Sequence, residues 1–132
     1  MKRTKQLILG DLEMAVLDHL WRVGQGDAKS VHLVVGSTRG IMPNTVQSTL
    51  ERLYRKGLLD REKVSHAYVY EPRIARTELM AQLIDDVVKP LSTGQAEPFF
   101  AAFIEHALRT DVKALDRLEK LIIARRVQEG RE

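Results

Sequence analysis

The chain has no cysteine and few aromatic residues. Only 5% of its 132 residues are phenylalanine, tryptophan or tyrosine, so its core must be built mainly from aliphatic side chains. The absence of cysteine excludes a disulfide scaffold, a thiolate metal site, a cysteine nucleophile and a thiol redox switch. Hydrophobic residues make up 44% of the chain and charged residues 30%, which is typical of a globular protein. A length of 132 residues predicts one domain, or one small domain with an accessory piece.

Long hydrophobic segments are missing as well. No run reaches the roughly 18 apolar residues that a membrane-spanning helix needs. The apolar stretch at 7–9, which follows a basic N-terminus, is shorter than the apolar region of about 7–15 residues in a secretory signal. We therefore expect a cytoplasmic protein with no membrane association.

Positive charge is concentrated in the first half of the chain. The formal net charge is +3. Residues 1–73 carry 12 lysines and arginines against 8 acidic residues, whereas residues 74–132 carry 9 against 10. The first half is therefore the candidate for contact with a polyanion such as DNA. The alternative is an uneven distribution on a solvated surface without a binding role.

The first two predicted helices lie before residue 37. Apolar residues at helical spacing predict a helix over 11–21, and Asp11 is placed to cap its N-terminus. A second helix is expected to run from a cap at Asp27 to Gly36. Its inner side is predicted to carry Val31, Val34 and Val35.

A third helix and a hairpin complete the first half. After a loop over 37–42, Pro43 opens a helix, because proline is tolerated at the first helical position. Gly57 suits the left-handed residue that ends such a helix. Alternating residues over 58–63 and 67–71 predict a β-hairpin. The order is that of a winged helix-turn-helix, so the predicted fold class is mainly α with a small β-hairpin.

Three more helices are predicted in the second half. The first is expected over 74–88 and ends before Pro90, and a loop follows at 92–94. The second begins after Glu97 and Pro98, and Asp111 is expected to cap the third. All three carry wide apolar faces, and exposed faces of this kind usually meet a partner.

Self-association is the function predicted for these helices. We expect residues 1–73 to form the DNA-binding domain and residues 74–132 a helical dimerisation region, with the homodimer formed through 74–126. The alternative is that the three helices pack against residues 1–73. The predicted interface contains Leu79, Leu83, Val87, Phe99, Phe103, Leu115, Leu118 and Ile122.

The third helix is the candidate for reading DNA, since the second helix of a helix-turn-helix pair lies in the major groove. The polar residues near its start are predicted to read base edges: Asn44, Thr45, Gln47 and Ser48. The predicted phosphate contacts are basic residues along this helix, in the loop before it and in the hairpin. They are Arg39, Arg52, Arg55, Lys56, Arg61, Lys63 and His66.

Catalytic and metal-binding motifs are absent from the sequence. Its histidines, His19, His32, His66 and His106, form no H-E-x-x-H motif and no cluster with carboxylates. No phosphate-binding loop, G-x-G-x-x-G or G-x-S-x-G motif occurs. We expect a protein that is not an enzyme and that holds no metal or cofactor. Two other functions stay open: a winged-helix module that binds a protein partner, and a DNA-binding regulator that senses a small ligand.

Three segments together resemble the penicillinase repressor family (BlaI/MecI type). They are LGDLEMAVLDHLW at 9–21, MPNTVQSTLERLYRKGL at 42–58 and the strand YVY at 68–70. The resemblance covers nearly the whole chain. It implies a dimeric winged-helix repressor that binds a palindromic operator ahead of β-lactamase or related resistance genes. It also implies that the tail helices form the dimer.

The resemblance further implies a way to release the DNA. In the best-known members a sensor-linked protease cuts an Asn-Phe bond in the tail, and the matching pair here is Ala102-Phe103. This chain also has Met42 where the family often has a capping Ser or Thr before the proline. The copper-responsive branch of the family uses tail cysteines, which this chain lacks.

Overall fold

The computed structural model describes residues 9–91, 94 and 96–131. The elements follow in chain order as α1 (Asp11–Val23), β1 (Gly26–Asp27), α2 (Ala28–Val31), a π-helical turn (His32–Gly36), α3 (Ser37–Arg39), α4 (Pro43–Arg55), β2 (Leu59–Val64), β3 (Ala67–Pro72), α5 (Arg76–Leu91), α6 (Glu97–Thr110) and α7 (Ala114–Gly130). The described residues divide into two compact units with the break between Asp86 and Val87. We call the first unit the head and the second the tail. The break lies within α5, whereas the helical region predicted from the sequence starts at residue 74.

Helix α1 starts at the predicted residue but with a different cap. Gly10 is the N-cap, and its N–H donates to the Glu13 carboxylate at 3.0 Å. The prediction that Asp11 caps the helix was therefore wrong. Asp11 is the first helical residue, where its negative charge still interacts favourably with the helix dipole.

Asp27 caps the next helical segment as predicted, because its carboxylate accepts from the Ser30 N–H at 2.8 Å. The helical conformation then continues through the π-helical turn to Arg39, so the loop predicted at 37–42 is shorter than expected. In this segment Val31 and Val35 are buried, but half of Val34 is exposed, which makes its predicted inward orientation wrong. Gly40 ends α3 with a left-handed φ of 65°.

The third helix and the hairpin agree with the predictions. Pro43 is the first residue of α4, and Gly57 has a φ of 80° after its end. Strands β2 and β3 pair antiparallel from Leu59 opposite Pro72 to Val64 opposite Ala67. Strand β1 pairs with β3 and gives the sheet order β1-β3-β2. It is not predicted from the sequence, because two residues are too few to show an alternating pattern.

One aliphatic core holds the head together. It is formed by side chains from α1, α2, the π-helical turn, α4, the turn before β2, the two hairpin strands and α5, and it includes one aromatic residue. Its buried members are Val16, Leu17, Leu20, Val31, Val35, Val46, Leu50, Leu53, Leu58, Leu59, Tyr70 and Leu79. The low aromatic content therefore predicts the composition of this core.

Two of the last three helices differ from prediction at their ends. Helix α5 includes Pro90 and ends at Leu91, so Pro90 does not break it; a proline in the last turn removes only one of the terminal hydrogen bonds. Helix α6 is formed as predicted. Helix α7 has Lys113 as its N-cap, and Asp111 instead accepts from the Lys113 N–H at 2.9 Å, so its predicted capping role was wrong. In the predicted loop at 92–94, residues 92 and 93 lie outside the described residues.

Candidate DNA interface

Helix α4 presents a polar surface at its N-terminal end. Its inner side is closed by Val46, Leu50 and Leu53, which are fully buried. Thr49 is buried beside them, and its hydroxyl donates to the carbonyl oxygen of Thr45 at 2.8 Å. The outer side exposes all four residues predicted to read bases: Asn44, Thr45, Gln47 and Ser48. Amide and hydroxyl side chains of this kind can pair with base edges in a major groove.

A cleft of about 440 Å³ lies between α4, the start of α2 and the hairpin. Its lining residues are Asp27, Ala28, Lys29, Gln47, Lys63, His66, Ala67, Tyr68 and Tyr70. Lys29 and Lys63 are both exposed, and they come from two different walls of the cleft. Lysines beside a surface that can read bases are suited to the phosphates of a DNA backbone.

Asp27 is the acidic residue of this cleft. Hydrogen bonds from the backbone and side chain of Ser30 hold the pKa of Asp27 below its usual value. The carboxylate is therefore ionised at neutral pH, and its charge opposes those of Lys29 and Lys63. The cleft keeps a net positive charge, which favours an anionic partner over a cationic one.

Most of the predicted phosphate contacts are accessible in the head. Five are exposed: Arg39, Arg52, Arg55, Lys63 and His66. Arg55 pairs with Glu51 of its own helix at 3.3 Å, but three quarters of its side chain remains exposed. Exposed pairs of this kind contribute little, so Arg55 can exchange its carboxylate for a phosphate.

Two predicted phosphate contacts are instead used within the head. The Lys56 ammonium lies 2.8 Å from the Glu13 carboxylate in a largely buried ion pair between α4 and α1. Arg61 is ion-paired with Glu51, and its guanidinium also lies over the ring of Tyr54. Unlike Arg55, both side chains are also largely buried, so the phosphate contacts proposed below do not include them.

The predicted dimer residues fall into two groups. Leu79 is buried in the core of the head and Leu83 packs against that core, so these two contribute to packing within the chain and are removed from the proposed interface. The remaining six lie in the tail. Val87, Phe103, Leu115 and Ile122 are exposed, whereas Phe99 and Leu118 are half-buried. Ala102 and Phe103, the predicted cleavage bond, are both exposed within α6.

A family model described as penicillinase repressor matches residues 9–124. The chain belongs to the penicillinase repressor family. The match covers all of the described head and most of the tail. It confirms the resemblance on which the sequence analysis relied.

Proteins similar to this repressor are named as a transcriptional regulator and as a penicillinase repressor. The transcriptional regulator BlaI of Mycobacterium tuberculosis is 33% identical over 111 residues, which are 83% of this chain and 80% of that protein. The penicillinase repressor of Bacillus licheniformis is 24% identical over 106 residues, or 80% of this chain and 81% of that protein. A solution structure of the DNA-binding domain of the repressor BlaI is similar to 58% of this chain and covers 93% of that domain, with 28% identity and a TM-score of 0.51.

These similarities establish the general class of the repressor. It is a BlaI-type transcriptional repressor with a winged-helix DNA-binding domain, and it is not an enzyme. DNA is its partner. Across residues 9–91, 94 and 96–131, no helix has the length and apolar character needed to cross a membrane.

Lys29 is a candidate DNA contact of this repressor that the sequence patterns do not predict. Lys29 reaches the cleft because β1 pairs with β3 and so brings the start of α2 beside the hairpin. The pairing joins Gly26 to Tyr70 and Asp27 to Val69, which are far apart in sequence. The one sequence feature that points to Lys29 is its position shortly after Asp27, which caps the helix. That position does not show that the hairpin lies across the cleft from the start of α2.

Proposed function

We propose that two copies of this repressor associate through their tail helices and bind a palindromic operator, each with α4 in a major groove. The observation that supports this function best is the exposed polar start of α4 beside a cleft with a lysine from each of two walls. In this arrangement Gln47 and its polar neighbours contact bases. Lys29, Lys63 and the exposed arginines contact phosphates.

The exposed apolar residues of the tail support the dimer. In the part of the tail that the structure describes, Ala114 is the one buried residue. The large apolar side chains left exposed there include Val87, Leu91, Phe100, Phe103, Ile104, Leu115, Leu121, Ile122, Ile123 and Val127. An apolar surface of this extent needs a partner. A second copy fits best, because a twofold dimer places two identical reading helices on two identical half-sites.

The regulated genes and the release step are inferred from relatives. Because one relative is named penicillinase repressor, we propose that this repressor controls β-lactamase or related resistance and stress genes in the cytoplasm. Disruption of the tail dimer would release the operator, since a single head loses the high effective concentration that tethering provides. Cleavage at Ala102-Phe103 by a sensor-linked protease is one route. The bond lies inside α6, so α6 must unfold locally before the cut.

Selection from random genomic fragments at increasing salt tests the DNA-binding part of this proposal. We expect a steep salt dependence, because contacts to several phosphates release counterions, and enrichment of one palindromic motif. Retention of fragments that share no sequence motif would contradict the recognition of a specific operator. Absent or salt-insensitive binding would favour a winged-helix module that binds a protein partner. If a small molecule abolished the retention of fragments that carry the motif, the ligand-sensing alternative would be favoured.

Sedimentation of Ile122→Asp tests the dimer. Half of the Ile122 side chain is exposed on α7, and a carboxylate placed in an apolar interface carries a large desolvation cost. We expect monomers at concentrations where the wild-type chain is dimeric. Lys120→Asp, at an exposed position of the same helix, introduces the same residue and should leave the dimer intact. A dimeric Ile122→Asp would refute this placement of the interface.

A further inference from the structure

The guanidinium of Arg61 lies between two aromatic rings. Its Cζ atom is 4.0 Å from the ring centroid of Tyr54 and 4.1 Å from that of Tyr68. Tyr54 belongs to α4 and Tyr68 to β3, so the cation bridges the DNA-reading helix and the hairpin. Each ring attracts the cation through its electron-rich face.

A carboxylate and a phenol complete the surroundings of Arg61. Its Nη1 is ion-paired with Glu51 of α4, and only a fifth of the Arg61 side chain is exposed. Burial acts to lower the pKa of Arg61, but the hydrogen bond with Tyr70 and the charge of Glu51 outweigh it and raise that pKa. The cation is therefore held by groups from both elements.

The position of Arg61 along β2 makes this contact important for the hairpin. Arg61 pairs opposite Tyr70, which is buried, and Lys63 pairs opposite Tyr68. Because alternate residues of a strand share one face, Arg61 and Lys63 are on the same side of β2. Strand β1 pairs with Val69 and Tyr70 of β3, so the hairpin is two-stranded beyond that point, and a two-stranded segment is at best marginally stable alone. The residues of β2 beyond Arg61 are exposed. Arg61 is therefore the outermost residue of β2 that is anchored to α4.

We propose that Arg61 is a positioning residue that fixes the hairpin against α4 and so sets where Lys63 lies relative to Gln47 across the cleft. This inference deepens the proposed function, because it assumes that α4 and the hairpin bind one operator together. Arg61 itself contacts no phosphate. Its planar guanidinium can stack between two rings and pair with a carboxylate at the same time, which the ammonium of a lysine cannot do.

Removing Glu51 distinguishes a positioning role of Arg61 from phosphate binding, because the two roles predict opposite changes in the affinity for DNA. If Arg61 bound phosphate, loss of Glu51 would free Arg61 and Arg55 and tighten binding to any DNA. If Arg61 positions the hairpin, the same loss loosens the hairpin and weakens binding to the operator. We expect Glu51→Ala to bind the selected motif about tenfold more weakly, a change of about 1.4 kcal/mol, and to bind random-sequence duplex at least as tightly as the wild type.

Glu62→Ala is the matched control. Glu62 follows Arg61 on the exposed, opposite side of β2, so this variant removes the same charge without touching the contact. It should not weaken binding to the motif. Glu51→Ala tightening on both DNAs would overturn the proposal.

Hydrogen exchange of the hairpin in the free, full-length protein gives a readout that does not depend on an operator. Arg61→Lys keeps the positive charge but loses the planar guanidinium that lies over the two rings and pairs with Glu51. We expect faster amide exchange over 63–67 in Arg61→Lys and Glu51→Ala, and wild-type rates in Glu62→Ala. Unchanged exchange in both test variants would overturn the proposal. If the wild type selects no motif, the proposed function fails, and this exchange measurement alone decides the role of Arg61.

Discussion

The indole N–H of Trp21 donates a hydrogen bond to the carbonyl oxygen of Ile74 at 2.9 Å. This bond joins α1 to the segment that leads into α5. Arg76 covers the same contact, with its Cζ atom 4.7 Å from the Trp21 ring and its guanidinium paired with Asp18. Leu79 is buried one turn later. The first part of α5 is thus attached to the head.

Trp21→Phe should weaken this attachment. The change removes the donor and leaves the Ile74 carbonyl in a partly buried place without its partner. We expect the free energy of unfolding to fall by about 1–2 kcal/mol. Urea denaturation followed by far-UV circular dichroism measures the loss, because Trp21 is the single tryptophan and fluorescence is lost with it.

Arg22→Ala is the control for that measurement. It removes an exposed ion pair to the same Asp18, and pairs of this kind contribute less than about 1 kcal/mol. Equal losses in the two variants would contradict a specific role for the Trp21 hydrogen bond.

The ion pair of Glu13 with Lys56 predicts a pH dependence of stability. Burial acts to raise the pKa of Glu13, but the hydrogen bonds from Lys56 and from the Gly10 N–H, with the charges of Lys56 and Arg52, outweigh it and lower that pKa. A carboxylate whose pKa is lower in the folded state stabilises the fold above its unfolded pKa of about 4.3, and this stabilisation is lost as the pH falls through the folded value.

Glu13→Gln should therefore unfold more easily than the wild type at neutral pH, and the difference should shrink as the pH drops below about 4.3. Urea denaturation at a series of pH values between neutral and acid measures it. Glu62→Gln, at an exposed position of β2, should show no such change. A Glu13→Gln deficit that stays constant over the whole series would contradict the role of the ionised carboxylate.

Local patterns in the sequence predict helix α4 and the hairpin. Pro43 and Gly57 mark the two ends of the α4 segment, and the spacing of Val46, Leu50 and Leu53 specifies its buried side, so the opposite polar surface follows. These features depend on residues a few positions apart. For the same reason the exposed base-reading candidates can be identified from the sequence alone.

Contacts between distant segments cannot be predicted in this way. Glu13 and Lys56 are 43 positions apart, and a lysine in the last part of a polar helix gives no sign that it will meet a buried carboxylate. Arg61 likewise resembles any other basic hairpin residue in the sequence, and only the fold brings it beside Tyr54. The positions of the carboxylates in the head decide which cations remain available for DNA. Those positions follow from the three-dimensional packing of the chain.

Gln47→Ala should reduce specificity more than overall affinity. Gln47 is exposed at the start of α4 and faces the cleft, and a bidentate contact with a base contributes about 1–3 kcal/mol of discrimination. We expect binding to the selected motif to weaken by about tenfold or more, with binding to random-sequence duplex unchanged. Competition binding with the two duplexes measures this.

Gln82→Ala, at an exposed position of α5, serves as the control and should leave both affinities unchanged. If Gln47→Ala weakened binding to both duplexes equally, Gln47 would position the helix on DNA without reading a base.

Lys29→Ala and Lys63→Ala should each lower the salt dependence of binding. If the two lysines contact different phosphates, each substitution reduces the slope of log affinity against log salt by about 0.9, and the double variant reduces it by the sum. If they share one phosphate, the double variant loses little more than either single variant. Lys120→Ala removes the same charge from an exposed position of α7 and should leave the slope unchanged. A slope reduced equally by all three single substitutions would mean that net charge, and not the cleft, determines the affinity for DNA.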